Sequence, residues 1–178
     1  MPASPANVLV ADFLDNNEIE GPFLNDVAGF TYALASDEAG LAKYLPDADA
    51  ILIFHDIAWL SEPSFSIAPK LKVVTRVGVG YNNVDLVSAG KHGIAVCNVP
   101  DYGTEEVADH AMMMMLAVAR HLVQQHNDMK KGVWDYKVGL ATPRLRGRTF
   151  GVIGCGRIGT AAALRAKAFG MDVVFYDP

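Results

Sequence analysis

The chain has 178 residues, 51% of them hydrophobic and 20% charged, with 16 glycines and 9 prolines; this excludes disordered, collagen-like and disulfide-knot classes and leaves ample material for a buried core. A formal net charge of −5 and a pI near 5.4 argue against a nucleic-acid-binding protein, which would carry a clustered basic face. The two cysteines, Cys97 and Cys155, have neither metal-ligand spacing nor a disulfide pattern, the N-terminus lacks a basic start followed by an apolar core, and no apolar run reaches the roughly 18 residues of a membrane helix, so a cytoplasmic globular chain is expected.

Short apolar runs alternate with helix-like stretches. Val8 to Ala11, Phe30 to Leu34, Ala50 to Phe54, Val73 to Arg76 and Ile94 to Cys97 read as strands, each nearly continuously hydrophobic, as in a sheet covered on both faces. Between them, one helix is expected to open at Ser36, with Asp37 and Glu38 in its first turn, and another to run from about Asn83 to Ala89 and close at Gly90. This alternation predicts a parallel α/β sheet of five strands over residues 1–99.

Pro100 to Gly103 punctuates the chain. Thr104 is then the expected N-cap of a long helix reaching about His126, with Glu105 and Glu106 at its positive end. Ala108, Met112, Met115, Leu116 and Ala119 share one face, yet Met113, Met114 and Val118 off that face are apolar too, so the helix needs cover on more than one side, from a second domain or a second subunit. Residues 132–148 are irregular, and their basic cluster Arg144, Arg146 and Arg148 reads as a solvated loop.

Thr149 to Ile153 reads as a strand running into Gly154-Cys155-Gly156-Arg157-Ile158-Gly159. A helix follows to Phe169, closed by Gly170, and then a second strand from Asp172 to Tyr176, ending at Asp177. Strand, glycine turn, helix, strand and an acidic residue at the right distance form the dinucleotide-binding pattern. Gly154 permits the tight turn, Gly156 lets main chain approach a pyrophosphate, and Gly159 lets the helix pack closely on the strand. The free N–H groups at the helix start attract the phosphates, while Asp177 accepts from both ribose hydroxyls and repels a 2′-phosphate, which favours NAD over NADP. An earlier glycine-rich element, Arg76-Val77-Gly78-Val79-Gly80-Tyr81-Asn82-Asn83-Val84-Asp85, also leaves a strand and enters a helix; it reads either as an ordinary turn or as backbone amides holding an anion, with Arg76 as a cationic partner.

Gly78 to Asp85, Gly93 to Pro100, Glu105 to Asp109, Leu145 to Gly154 and Ala166 to Pro178 together resemble the D-isomer-specific 2-hydroxyacid dehydrogenases, and among them the branch containing the C-terminal-binding proteins. The resemblance is dense from about Leu71 onward and diffuse before it. It implies an α/β architecture with a flavodoxin-like substrate domain over residues 1–99, followed by the start of a Rossmann NAD-binding domain over residues 100–178, with the active site in the cleft between them. It further implies that the amides of Val79 and Gly80 hold the substrate carboxylate with Arg76 nearby, that Val79 and Val107 line the nicotinamide, and that Cys155, Arg157 and Ile158 face the pyrophosphate. The long helix would lie at a two-fold homodimer interface.

The activity so implied is NAD-dependent oxidation of a small D-2-hydroxy acid or reduction of the matching 2-keto acid; an NAD-binding corepressor-like scaffold is the alternative. The family's catalytic Arg, Glu and His lie downstream of the Asp-Pro at which this chain stops, so no catalytic residue is assigned here and a fragment without turnover is expected. Asn82 stands where the family usually has Asp. Of the five histidines, none has ligand spacing and no metal is expected. His55 follows a strand end, where α/β active-site residues sit and where the binding-protein branch also has a His, so it is either a substrate contact or an exposed loop residue. Cys97 and Cys155 are expected to be small buried hydrophobes.

Overall fold

A computed structural model describes residues 5–178; Met1 to Ser4, which open the segment read above as lacking a leader core, lie outside the described residues. The chain divides between Pro100 and Asp101 into two compact units.

In the first unit the elements follow in the order β1 (Ala6–Asp12), α1 (Gly21–Leu24), β2 (Ala28–Leu34), α2 (Glu38–Leu41), β3 (Ala50–Ile53), α3 (Glu62–Phe65), β4 (Val73–Arg76), α4 (Leu86–Lys91) and β5 (Ala95–Asn98). The five strands are all parallel, in the order β2-β1-β3-β4-β5. This is the flavodoxin-like order, and it reverses direction between β1 and β3. Val8 to Ala11 are buried one after another, which an alternating strand would not show; both faces of β1 are covered. Leu9, Ile51, Ile53 and Val74 pack from the sheet against Leu41, Leu45 and Phe65.

The second unit holds α5 (Thr104–Ala119), α6 (Leu122–Lys130), β6 (Thr149–Ile153), α7 (Arg157–Ala168) and β7 (Asp172–Tyr176). β6 and β7 pair in parallel. Ala108 on α5 meets Ala161 and Ala162 on α7, so small side chains let the two helices approach closely, and Met112 packs with Ala166 and Met171 beside them. The Arg165 guanidinium adds hydrogen bonds from α7 to Glu105 and Asp109 on α5.

Several local expectations are corrected. The helix predicted to run unbroken to His126 ends at Ala119: His121 adopts a left-handed backbone (φ 55°), and the freed carbonyl of Arg120 accepts instead from the Gln125 amide at 2.7 Å. Thr104 is the first helical residue rather than the N-cap, which is Gly103. Gly90 lies inside α4, whose N-cap is Asp85, and the left-handed turn after it falls on Gly93 (φ 68°). Asp37, not Ser36, caps α2, accepting from the Gly40 N–H. Cys97 is exposed because it shares the open face of β5 with Ala95, and Cys155 is half-buried.

Candidate functional site

The first unit gathers its chemistry at the carboxyl ends of β1, β3 and β4, beside the point where strand order reverses, the usual place for ligands in open α/β sheets. A pocket of about 270 Å³ there is lined by His55, Ala58, Arg76, Gly80, Asn82 and Asn83. Three predicted residues, His55, Arg76 and Gly80, thus share one pocket, and Val79 belongs to the same glycine turn.

The turn is held so that its donors face away from the sheet edge. The Gly78 carbonyl accepts from the Val99 N–H at 3.0 Å, and the Val79 carbonyl accepts from the Asn98 side-chain amide at 2.8 Å. Peptide planarity then turns the N–H groups of Val79 and Gly80 the opposite way, and neither has an acceptor among the described residues. Gly78 serves a second need: a Cβ there would stand 1.7 Å from Nη1 of Arg76, so its bare backbone makes room for the guanidinium. Nε of Arg76 is buried without a partner among the described residues. The donors come from the loop itself; α4 begins only at Leu86 and contributes none of them.

His55 is exposed, with Nε2 at 3.5 Å from Oδ1 of Asp56. Its ring centroid lies 6.2 Å from that of Phe13, which packs on Phe54 at 5.0 Å. The most deeply set polar group here is Asp12, which the sequence reading did not single out. It is 3% exposed, has a left-handed backbone (φ 72°), and accepts from the Phe54 and Ile57 N–H groups, the latter at 2.6 Å. Burial pushes its carboxyl above the usual carboxylate range, and the two backbone donors only partly offset this. Its one sequence signal is an acidic residue closing the apolar run Val8 to Ala11.

In the second unit β6 runs through Gly154 (φ 87°) into α7. That left-handed turn places the Gly154 N–H at 2.8 Å from the Tyr176 carbonyl, tying the turn to the end of β7 beside Asp177. The Thr160 hydroxyl donates to the Cys155 carbonyl at 3.1 Å, which leaves the Gly156 N–H pointing outward. Gly156 is the N-cap of α7 and no side chain closes that end, so the first-turn amides of Arg157, Ile158 and Gly159 keep their donor capacity. A Cβ on Gly159 would stand 2.0 Å from the Gly154 carbonyl oxygen, so only glycine allows the helix this close to the turn. Asp177 is exposed just past β7. Val107 is exposed in the first turn of α5, on a different element from either glycine turn.

Among the described residues no cluster of three or more His, Cys, Asp or Glu side chains is arranged to hold a metal, and no helix is long and apolar enough to cross a membrane.

A family model for the D-isomer specific 2-hydroxyacid dehydrogenase catalytic domain matches residues 8–171. The chain is 39% identical over 171 residues to D-3-phosphoglycerate dehydrogenase of Methanocaldococcus jannaschii, covering 96% of this chain and 32% of that protein. It is 35% identical over 173 residues to D-3-phosphoglycerate dehydrogenase of Synechocystis sp., covering 97% and 30% respectively. Among solved structures, D-lactate dehydrogenase from Aquifex aeolicus, complexed with NAD and lactic acid, matches with a TM-score of 0.80 at 32% identity, over 96% of this chain and 51% of that one. The TT0316 protein from Thermus thermophilus matches with a TM-score of 0.82, also at 32% identity, over 96% and 56%. The chain spans about 30% of the length of the two curated relatives. It belongs to the D-isomer-specific 2-hydroxyacid dehydrogenase family.

Proposed function

We propose that this chain carries the acid-binding and dinucleotide-binding parts of an NAD-dependent oxidoreductase that interconverts a small D-2-hydroxy acid and its 2-keto acid. The observation that carries this reading is the β6–turn–α7–β7 unit, whose open helix start and terminal Asp177 are tied together through Gly154 and Tyr176. The residues fit the cofactor: the amides from Gly156 to Gly159 hold the pyrophosphate, with Cys155, Arg157 and Ile158 around it, and Asp177 accepts from the adenosine ribose hydroxyls. When bound, NAD would supply the hydride acceptor.

Substrate orientation falls to the first-unit pocket. The unpaired amides of Val79 and Gly80 and the Arg76 guanidinium receive the carboxylate, which fixes C2, while His55 faces the rest of the acid from the pocket rim. That the Aquifex relative is complexed with NAD and lactic acid supports both halves of this reading. Free thiols at Cys97 and Cys155 accord with a reducing, cytoplasmic compartment.

The test follows NADH oxidation by the complete protein across a panel of 2-keto acids: glyoxylate, pyruvate, 4-methyl-2-oxopentanoate, phenylpyruvate and phosphohydroxypyruvate. Oxidation with at least one is expected. Silence with all of them, with NAD still bound, overturns the enzymatic reading in favour of a regulatory NAD-binding scaffold.

The same reading makes α5 the core of a homodimer interface. Met113, Met114 and Val118 are exposed, and a groove of about 540 Å³ beside them is lined by Met112, Met113, Leu116, Leu122 and Phe169 among others. So much apolar surface on one helix calls for a partner. Sedimentation of the complete protein is expected to show a dimer that Met113→Glu dissociates; a strict wild-type monomer removes the interface.

A further inference from the structure

We propose that Asp12 and Asn83 are positioning residues that set the His55 segment over the substrate pocket. The inference rests on the reading of that pocket as the 2-keto acid seat and goes beyond it by naming what holds one of the seat's walls. Residues 54–57 form a short loop after β3, with His55 and Asp56 exposed at its tip. The Asp12 carboxylate accepts from the N–H groups of Phe54 and Ile57. The Asn83 amide donates to the carbonyls of the same two residues, at 3.1 Å and 2.8 Å. An acceptor and a donor from distant parts of the sequence therefore grip both polar groups at each end of one loop, leaving its tip free to face a ligand.

The choice of residues is costly for a purely structural brace. Asp12 is a carboxylate held almost out of water, on a left-handed backbone that non-glycine residues enter at a penalty. Asn83 also connects the loop to the carboxylate seat, because it closes the segment that begins with the Gly78–Gly80 turn and lines the same pocket as Arg76 and His55. The seam continues as the Leu60 N–H donates to the Asn83 carbonyl at 2.8 Å and the Asp85 N–H to the Leu60 carbonyl at 2.9 Å. The two wall segments of the pocket are thereby fixed to each other and to the end of β1.

A double-mutant cycle with His55 tests this on the complete protein, using whichever keto acid of the panel is reduced best. Asp12→Asn keeps the shape but puts an amide where two N–H donors need two acceptor oxygens. It is expected to raise KM for the keto acid about tenfold without changing KM for NADH, and to change it by less than about twofold when His55 is already alanine. A brace that acts only on stability would lower the active fraction and leave KM unchanged in both backgrounds. If Asp12→Asn fails to fold cooperatively, Asn83→Ala carries the same cycle with the same expected outcomes. Additive losses, or a wild-type KM in the single variant, overturn the positioning role and leave the keto-acid reading standing. No turnover with any keto acid in the wild type overturns the reading itself, and this proposal falls with it.

Discussion

Gly159→Ala is expected to lower kcat/KM for NADH in the complete protein by at least about 100-fold, the scale on which a misplacement of about 1 Å acts. A Cβ at position 159 would stand 2.0 Å from the carbonyl oxygen of Gly154. That obstacle is main chain and cannot rotate aside, so α7 must move away from the turn. The movement displaces the amides at the helix start and strains the Gly154 N–H to Tyr176 carbonyl bond that keeps Asp177 beside them. Asp177→Ala serves as the graded comparison: it removes only the ribose acceptor, and a loss of about tenfold in NAD affinity is expected, as for hydrogen bonds to a charged group. Steady-state kinetics with NADH measures the first, and fluorescence titration with NADH compares binding in both variants. Equal, small effects would place the dinucleotide elsewhere. A Gly159→Ala protein that binds normally would show that α7 can retreat without moving the phosphate seat.

The second large effect belongs to Arg76. Arg76→Gln is expected to raise KM for the keto acid about 100-fold, the range for removing one partner of a hydrogen-bonded ion pair out of bulk water. KM for NADH should be unaffected. Among the residues lining the first-unit pocket, Arg76 is the one that carries a permanent positive charge. Its guanidinium lies against the bare backbone of Gly78 and the residue lines the pocket, so a carboxylate entering there meets its charge. Lysine at 76 should recover only part of the loss, because it lacks the planar fork. An unchanged KM in Arg76→Gln would reassign the carboxylate to the Val79 and Gly80 amides alone.

Much of the fold can be read from the chain because its signals are local. The five apolar runs of the first unit become the five parallel strands, with ends shifted by at most two residues and β4 not at all. The turn from Gly154 to Gly159 is equally plain, since each glycine answers a steric need a few residues away. Other features hide for a physical reason. His121 breaks the apolar helix without a glycine or proline to mark it, and the break depends on a side chain, Gln125, that takes up the stray carbonyl. Asp12 finds its partners 42 and 45 positions along the chain, Asn83 at 29 and 26, and Asn98 at 19. Only the folded sheet brings such pairs together, so residues that hold the candidate site are less legible than residues that line it. His55, Arg76 and Gly80 were reachable because each sits at or just beyond a strand end.

The anion donors proposed at Val79 and Gly80 belong to the main chain, and this shapes how such a seat would withstand change. Alanine at Val79 or Gly80 would leave both N–H groups in place, since only proline deletes a backbone donor. Side chains at positions 79 and 80 can drift in size while both donors persist, whereas position 78 must stay bare beside Arg76. Over long descent such a turn can admit acids of altered bulk without losing its hold on the group they share.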